Sequence, residues 1–548
     1  YSNGERFIDP LSSKTTASPN DGGHNLGDLY VDNGNNLSWN ANAALYYTRS
    51  FNKHNLNLSV AWEASSGSSD ATNAHYRGFP NGQFHSPNYA AEIYEKPSRT
   101  EGTSRMVSTW ATGNYTWNDI YLADFSVRFD GSSDFGSKQR WAPFFSGGLG
   151  VNIHNYEFLK GNEIVNKLKV RASYGRTGKA SFPSYAATTM YEALFDEWYA
   201  TGFGAVLKAL GNNNLSWEKT DKFNVGIEMQ FLNRRLTVDA DYYHDKTIDV
   251  VNDVSLSQTS GFSSYKDNMG EVLNQGFELQ VRGEVLRNRD WLVALWGNMA
   301  HNKNKIMKIS DSQRAYNQRV KDFYQKAINE QAYSSYDPQY GVPIAQYEEG
   351  QSLTSIWAVK SLGIDPTTGK EIFLNRDGSV SDTWNATQEV VVGNTEPKFN
   401  GSVGFNVAYK AWSLFAAFQY EWGGQEYNQT LVDRVENARI QYQNVDLRVL
   451  TDRWKQPGDI AQFKDIKDAD YVTMPTSRFV QDKAYLRLSA LTLSYDFNRE
   501  WIKKHLGMNM LRLEASTRDF INWNSIRQER GLSYPKSWTV DFSIKAQF

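Results

Sequence analysis

Polar and apolar side chains alternate along most of this chain, most clearly at its C-terminal end. In the last twelve residues, SWTVDFSIKAQF, every second residue from Trp538 to Phe548 is apolar, and the residues between them are polar or charged. A period of two predicts a β-strand with one apolar face. Because terminal residues usually fray, we expect neighbouring strands to hold this one in a sheet.

The same alternation recurs in about fifteen segments. Strands are predicted near residues 37–51, 54–67, 105–118, 120–133, 141–154, 165–178, 217–232, 234–250, 270–286, 289–305, 398–410, 412–424, 480–497, 507–523 and 537–548. In YLRLSALTLSYDF the alternation changes phase between Leu488 and Leu491, which indicates a β-bulge.

Short and long connections alternate between these strands. Short connections follow residues 51, 118, 232, 286 and 410, and longer turns lie at 155–164 and 498–506. Long connections lie at 68–104, 179–216, 251–269, 306–397 and 425–479, with compact loops at 134–140 and 524–536 on the same side. Short turns on one rim and long loops on the other are typical of outer-membrane β-barrels, with periplasmic turns and extracellular loops.

The fold class predicted is therefore all-β, a transmembrane antiparallel β-barrel. Residues 1–36, rich in Asn, Gly, Ser and Asp, are expected to form an extracellular loop, and residues 37–548 the C-terminal part of the barrel. A soluble sandwich also alternates, but its strands usually have about five or six residues. A soluble barrel with this many strands would have a lumen too wide for side chains to fill.

The polar face of the strands is predicted to line a wet or plugged interior. The proposed lumen-lining residues are Asp124, Arg128, Asp239, Asp241, Glu278 and Arg282. Asp239 and Asp241 could also be read as a paired acid and base, but a hydrated lining explains them more simply. Aromatic residues at strand ends, such as Trp117, Trp412 and Trp422, are expected to form girdles at the lipid interface.

Composition excludes several other classes. Lys and Arg number 58 against 61 Asp and Glu, so the chain lacks the basic excess of a nucleic-acid binder. Cysteine is absent, which removes disulfides and thiolate chemistry. No G-x-S-x-G, P-loop or H-E-x-x-H motif is present, so we predict no enzymatic activity, no cofactor and no metal site. The carboxylates of DGSSDFG and IDPTTGK lack the spacing of a calcium-binding EF-hand and fit turns.

Several segments, in order along the chain, resemble SusC-like TonB-dependent transporters (the SusC/RagA family), which import glycans and peptides across the outer membrane of Bacteroidetes. The segments are VRFDGSSDFGSKQRWAPFFSGGLG, LKVRASYGRTG, NNNLSWEKTDKFNVGIEMQFLNRRLTVDADYYHDKTIDVV, NMGEVLNQGFELQV, YEEGQSLTSIWAVKSLGIDPTTGKEIF, GNTEPKFNGSVGF and AYLRLSALTLSYDF. The resemblance implies a plugged barrel of about 22 strands. On this reading the chain is the C-terminal portion, and Tyr1 is not the beginning of the gene product. The resemblance implies that a plug domain and the first strands lie outside these residues.

The resemblance also implies partners. These are a SusD-like surface lipoprotein over the long loops, TonB acting through the plug, an N-terminal barrel and plug segment, and the barrel-assembly machinery during insertion. A dimer of transporter and lipoprotein pairs in the outer membrane of a Gram-negative bacterium is expected. The final strand, with Phe542, Ile544 and Phe548, is similar to the C-terminal insertion signal of outer-membrane proteins. Phe548 as an interfacial girdle aromatic is a compatible alternative.

Long loops are where binding residues are expected. Aromatic residues there could stack on sugar rings, or could instead pack the loops together; they are Phe195, Trp198, Tyr199, Phe323, Tyr324, Tyr333, Tyr336 and Tyr340. The predicted function is active import of oligomeric nutrients, with glycans preferred. The alternatives are peptide import, or an outer-membrane scaffold or secretion barrel that does not import.

Overall fold

The chain folds mainly into antiparallel strands. The computed structural model describes residues 2–10, 27–179, 185–199, 202–255, 264–268, 270–329, 338–441, 445–468, 472–527 and 538–548.

The strands alternate with turns, loops and a few helices along the chain. The first part contains β1 (Ser2–Ile8), β2 (Gly27–Phe51), β3 (His54–Phe79), β4 (Glu92–Trp117), β5 (Tyr121–Ser132), β6 (Trp141–Asn152), β7 (Val165–Lys179), β8 (Met190–Tyr199), β9 (Gly202–Ala209), β10 (Glu218–Phe231), β11 (Leu236–Ile248), β12 (Val251–Ser255), β13 (Ser264–Asn268), β14 (Glu271–Arg287) and β15 (Trp291–Lys308). The second part contains helix α1 (Asp311–Asn329), β16 (Ser355–Ala358), β17 (Lys360–Ile364), β18 (Glu371–Leu374), β19 (Val380–Ser381), β20 (Val390–Asn394), β21 (Phe399–Tyr409), β22 (Trp412–Tyr427), helix α2 (Gln429–Leu431), β23 (Val480–Asp496), helix α3 (Arg499–Leu506), β24 (Met510–Thr517), β25 (Asn522–Asn524) and β26 (Val540–Gln547). None of the helices in the described ranges is long and apolar enough to cross a membrane.

Seventeen strands form one antiparallel sheet in which hydrogen-bonded neighbours follow chain order. Two hairpins, β8 with β9 and β12 with β13, form separate small sheets within long connections. Within the described residues, β1 pairs only with β2, and β26 pairs only with β24. This order is the simplest antiparallel topology, because each short turn joins strands that are already neighbours.

The all-β class and the fifteen predicted strands are confirmed, with the predicted strand 507–523 divided into β24 and β25. Residues 1–36, predicted as an extracellular loop, include β1 and the start of β2, and their extracellular placement stays a prediction. β1 pairs with the start of β2, from Ser2 opposite Gly34 to Ile8 opposite Asp28. No regular apolar alternation marks this pair in the sequence, although side chains support it, since the Phe7 ring packs on Phe79 at 5.3 Å and Leu29 is buried.

The strands β2, β3 and β4 are longer than predicted for the same reason. Each has 25 or 26 residues, whereas about 9 to 11 residues cross a membrane. Much of the predicted loop 68–104 is therefore a continuation of β3 and β4, on mainly polar residues whose backbones pair and whose side chains also meet, as Arg99 and Asp70 do at 3.5 Å.

The predicted β-bulge is confirmed. Ala490 pairs with Ala417 and Leu488 with Phe418, so Ser489 is an extra residue in β23. Its hydroxyl donates a hydrogen bond to the Ala417 carbonyl at 2.9 Å. The bulge restores the apolar residues on either side of it to one face of the sheet.

One face of the sheet carries large apolar side chains that are exposed. Leu149 is 69% exposed and Phe542 is 82% exposed, and Phe125 and Phe129 on β5 are also exposed. The predicted girdle residues Trp117, Trp412 and Trp422 are exposed in the same way. A soluble protein buries such residues, so this face is built for an apolar solvent.

Candidate functional site

The two longest connections fold together at the long-loop end of the sheet. The described parts of residues 311–397 and 427–479 form one packed unit, called here the loop module. It contains two clusters of buried apolar side chains, and hydrogen bonds and an ion-pair cluster join them. The sequence does not predict this unit, because its apolar residues are widely spaced among polar residues along the chain.

Helix α1 supplies the first cluster of the loop module. Val320 and Tyr324 lie one turn apart and pack with Phe373 and Trp384 from the following loop and Met474 from the second connection. The Tyr324 hydroxyl donates to the Val342 carbonyl at 2.6 Å. Burial raises the pKa of Tyr324 far above its usual range, so this phenol stays protonated.

The second cluster lies within residues 427–479. It contains the apolar side chains of Leu431, Val432, Val435, Ala438, Val449, Phe463 and Phe479. Backbone contacts tie the two connections together, since Val359 N donates to Pro475 O at 3.1 Å and Ser477 N donates to Val359 O at 2.9 Å. The indole nitrogens of Trp384 and Trp454 each donate across the same junction, at 2.9 Å.

Arg478 forms the charged centre of this junction. Its guanidinium contacts Glu371 at 2.8 Å and Glu436 at 2.6 Å, and all three side chains are at least nine-tenths buried. Burial opposes both charges, but Arg478 outweighs burial and holds the pKa of Glu436 below its usual value. The two facing carboxylates hold the pKa of Arg478 above its usual value in the same way. The cluster stays ionised and joins both connections.

Glu389 is a second buried carboxylate in the loop module. Gln346 Nε2 donates to its Oε2 at 2.6 Å, while its Oε1 has no hydrogen-bond partner within the described part of the chain. Burial raises the pKa of Glu389 to about 7, against the hydrogen bond from Gln346 and the charges of Lys321 and Arg376. This carboxyl therefore carries a proton through much of the weakly acidic range.

The loop module presents two clefts that sequence analysis did not predict. The first, of about 610 Å³, lies between residues 440 and 467, with Leu447, Leu450 and Ile466 exposed beside Arg453. The second, of about 800 Å³, lies where the loop module meets the strands, and its walls include Lys303, Glu396, Lys398, Trp422 and Asp482. No local sequence signal marks either cleft, because each is formed by segments far apart in the chain.

The structure separates the predicted ligand-binding aromatics. The structure corrects the prediction that Tyr324 binds a ligand, since its side chain is fully buried and exposes no surface to a ligand. Phe323 is half-buried against Tyr324 and Tyr340, with ring centroids 5.4 and 4.8 Å apart. This is the packing role left open as the alternative. Tyr333 and Tyr336 lie outside the described residues. The residues Phe195, Trp198 and Tyr199 lie on strand β8, but their side chains are not among those that the structure describes.

The predicted lumen residues share the face opposite the exposed apolar one. Register pairs Asp241 with Glu278 and Thr237 with Arg282, which puts these side chains on one face. Arg171 contacts Asp241 at 2.7 Å, and neighbouring Glu228 contacts Lys167 at 2.5 Å. These ion pairs fit a hydrated lining better than a catalytic dyad. The lumen-lining role stays a prediction.

The other predicted lumen residues lie on β5. Arg128 contacts Asp130 at 2.6 Å and donates to Ser108 at 2.8 Å, while Asp124 faces Gly148 of β6.

The carboxylate of Asp365 in IDPTTGK accepts hydrogen bonds from Thr367 N and the Thr368 hydroxyl, as a turn requires. Those backbone and hydroxyl bonds lower its pKa.

The proposed insertion signal lies on β26 and on the residue that follows it. Phe542, Ile544 and Phe548 are all largely exposed, and β26 pairs with β24 from Val540 to Gln547. Their position on the apolar face agrees with either of the two roles considered for Phe548. The insertion role stays a prediction.

Comparison with known proteins agrees with this architecture. Residues 3–516 match the family described as TonB dependent receptor-like, beta-barrel. TonB-dependent receptor P3 of Formosa agariphila is 27% identical over 506 residues, which cover 90% of this chain and 48% of that protein. TonB-dependent receptor SusC of Bacteroides thetaiotaomicron is 25% identical over 503 residues, which cover 85% of this chain and 46% of that protein. The chain thus spans about half the length of these relatives.

Solved structures share the fold. The RagAB peptide importer in its open-open state has a TM-score of 0.81 at 22% identity, covering 97% of this chain and 56% of that chain. A structure of the RagAB peptide transporter has a TM-score of 0.77 at 23% identity, covering 93% of this chain and 54% of that chain. At these identities the likeness concerns the fold alone.

Proposed function

The chain belongs to the TonB dependent receptor-like β-barrel family, as its resemblance to SusC-like transporters predicts, and we propose that it forms the C-terminal barrel portion of an outer-membrane importer of the SusC/RagA type. The cargo is an oligomeric nutrient, with a glycan preferred and a peptide as the alternative. The substrate is captured at the long-loop side and released unchanged on the periplasmic side, without covalent chemistry.

One observation carries this proposal. The sheet has an exposed apolar face and, on its other face, rows of charged side chains paired across strands, such as Arg176 with Asp221 at 2.6 Å. An apolar outside and a charged inside are what a barrel in lipid requires when its interior is hydrated or filled by polar protein.

The partners proposed are a SusD-like surface lipoprotein, TonB acting through a plug domain, and a second copy of the transporter and lipoprotein pair. The exposed apolar side chains beside the 610 Å³ cleft of the loop module support a protein contact on this side. Apolar patches rimmed by polar residues are typical of protein interfaces.

The substrate proposal rests on the remaining loop aromatics, because Tyr324 is removed from the set. Trp198 and Tyr199 keep their place as candidates, since aromatic rings stack on the apolar faces of sugars. Peptide cargo stays open, because the clefts offer both apolar and charged side chains.

Uptake by intact bacteria tests the function. A deletion strain complemented with the full-length transporter is expected to take up one class from a panel of labelled oligosaccharides and peptides, and to lose uptake when TonB is removed. Trp198→Ala together with Tyr199→Ala should raise the substrate concentration needed for half-maximal uptake. Phe84→Ala, in the exposed loop between β3 and β4, is the matched control and should change nothing.

The alternatives give different results. Unchanged uptake of every compound in the deletion strain, or uptake independent of TonB, would favour a scaffold or secretion barrel. Mass spectrometry of the native complex is expected to find a SusD-like lipoprotein and a plug-bearing segment. Conversion of the substrate to a new product by purified complex, lost in Asp239→Asn, would instead support an enzyme.

A further inference from the structure

Helix α3 lies in the connection between β23 and β24, on the short-turn rim of the sheet. The Asn498 side chain accepts hydrogen bonds from Glu500 N and Trp501 N at 3.0 and 3.1 Å, which begins the helix. Gly507, with a φ of 67°, ends it in the left-handed conformation. Both ends are fixed, so this short connection holds a defined helix.

Burial fixes the orientation of α3. Ile502 is fully buried against the protein, while Trp501 and Leu506 on either side of it are about half exposed. The Trp501 ring stacks on His505, with ring centroids 5.0 Å apart. A helical period of 3.6 residues puts Lys504 nearly opposite Ile502 and Lys503 to one side, about 100° from Ile502.

The charges of α3 face outward. Lys503 and Lys504 are exposed, and no ion pair joins either ammonium to another side chain in the parts of the chain that the structure describes. Glu500 lies one turn earlier on the same side and is likewise exposed. By contrast Lys160, in another turn on this rim, pairs with Glu157 at 3.8 Å. The two lysines of α3 are therefore available to an external anion.

An aromatic chain leads from the apolar face of the sheet to this helix. Trp412 packs on Tyr495 at 4.8 Å and Tyr495 on Phe497 at 5.0 Å, and α3 begins two residues later. Trp and Tyr rings collect at the level of lipid headgroups, and long basic side chains reach from there to the phosphates. The helix thus lies at the height where headgroups are expected.

We propose that α3 is an interfacial site for anionic phospholipid headgroups of the periplasmic leaflet, with Lys503 and Lys504 binding the phosphates and Trp501 and Leu506 contacting the acyl boundary. This inference rests on the proposed placement of the barrel in the outer membrane. Amphipathic helices with basic polar faces bind anionic membranes in this way. Each lysine near an anionic surface contributes about fivefold in affinity.

Native mass spectrometry of the full-length transporter, released from nanodiscs of mixed phosphatidylglycerol and phosphatidylcholine, tests the proposal. The unmodified protein is expected to retain phosphatidylglycerol preferentially. Lys503→Gln with Lys504→Gln should lower that preference about tenfold or more, and Lys53→Gln with Lys160→Gln, on other short-turn connections, should leave it unchanged.

Two results would overturn the proposal. One is an equal preference in the Lys503→Gln, Lys504→Gln protein and the unmodified protein. The other is a protein subunit, rather than lipid, lost on the double substitution. Nutrient uptake is measured separately. If the protein imports normally but shows no lipid preference, only the proposed lipid site is refuted. Lipid preference without import refutes the proposed function alone.

Discussion

In the loop module, the type of a side chain does not determine whether that side chain is buried or exposed to a ligand. Tyr324 has the aromatic ring expected of a sugar contact, yet it is fully buried and donates to a backbone carbonyl within the protein. Phe323 and Tyr340 pack beside it. The chemistry of a side chain was readable from the sequence, but its partner was not, because the partners come from other segments of the chain.

Glu389 predicts a pH dependence of the loop module. Its pKa is raised from 4.5 to about 7, so the folded state keeps a proton that the unfolded state has already released. The contribution of Glu389 to stability is largest below pH 4.5 and is lost as pH rises to about 7, because burial disfavours the ionised carboxylate. Each unit of pKa corresponds to about 1.4 kcal/mol, so the total loss is about 3 kcal/mol.

Hydrogen exchange of residues 338–397, corrected for intrinsic rates, measures this effect between pH 5 and pH 8. Glu389→Gln is expected to remove the pH dependence. Glu349→Gln, at a partly exposed carboxylate of the same connection, should retain it. Equal pH dependence in both variants would contradict the assignment to Glu389.

Removing the buried charge of Arg478 is expected to lower the stability of the loop module strongly. Arg478→Met leaves Glu371 and Glu436 buried without their partner, which is expected to destabilise the loop module by about 3 to 5 kcal/mol. Arg314→Met breaks exposed pairs with Asp311 and Glu349 and should cost less than about 1 kcal/mol. Faster hydrogen exchange in both connections of the Arg478→Met protein is the expected result, and an effect no larger than that of Arg314→Met would refute it.

At the level of elements, alternation predicted strands wherever one face meets an apolar solvent. It failed for β1 and for the outer parts of β2, β3 and β4, where polar residues lie on both faces and apolar side chains such as Leu29 and Phe79 are buried among them without a regular period. It succeeded even at the β23 bulge, because the extra residue Ser489 changes the phase of the apolar positions. The alternation of side chains therefore indicates which surroundings each face of a strand meets, and it does not indicate which backbone hydrogen bonds the strand makes.

The final strand predicts an effect on assembly rather than on transport. Phe548→Ala removes the aromatic residue that follows β26, and we expect a smaller folded fraction in the outer membrane if Phe548 is part of the predicted insertion signal. Gln547→Ala, on the other face, is the control. Heat-modifiable migration in gels after a pulse of synthesis measures the folded fraction. Equal assembly of the two variants would leave Phe548 as an interfacial aromatic only.

At the level of the whole molecule, the solvent of the apolar face decides how substitutions behave. Leu149 is 69% exposed, and a lysine there would be nearly neutral if that face met water. In lipid, Leu149→Lys is expected to cost more than the about 0 to 1 kcal/mol of an interfacial site and less than the about 2 to 4 kcal/mol of the midplane, because Leu149 lies three residues from the short-turn end of β6. Ser146→Lys, on the polar face of the same strand, should cost little.

Urea unfolding of the full-length protein in lipid vesicles distinguishes these cases. A lower midpoint for Leu149→Lys than for Ser146→Lys supports a lipid-facing surface. Equal midpoints would mean that the apolar face is not in contact with lipid, and the barrel interpretation would fail with it.

The sequence by itself determined the strand count to within two of the seventeen, the bulge in β23, the faces of the sheet and the alternation of short and long connections. These are local properties, because a period of two and a turn are each written in a few adjacent residues. The tertiary structure alone decided that two long connections fold as one module around Arg478, that Tyr324 is buried, and that α3 turns its lysines outward. Contacts such as that between Arg478 and Glu371 join residues 107 positions apart, and no local pattern records which distant segments will meet.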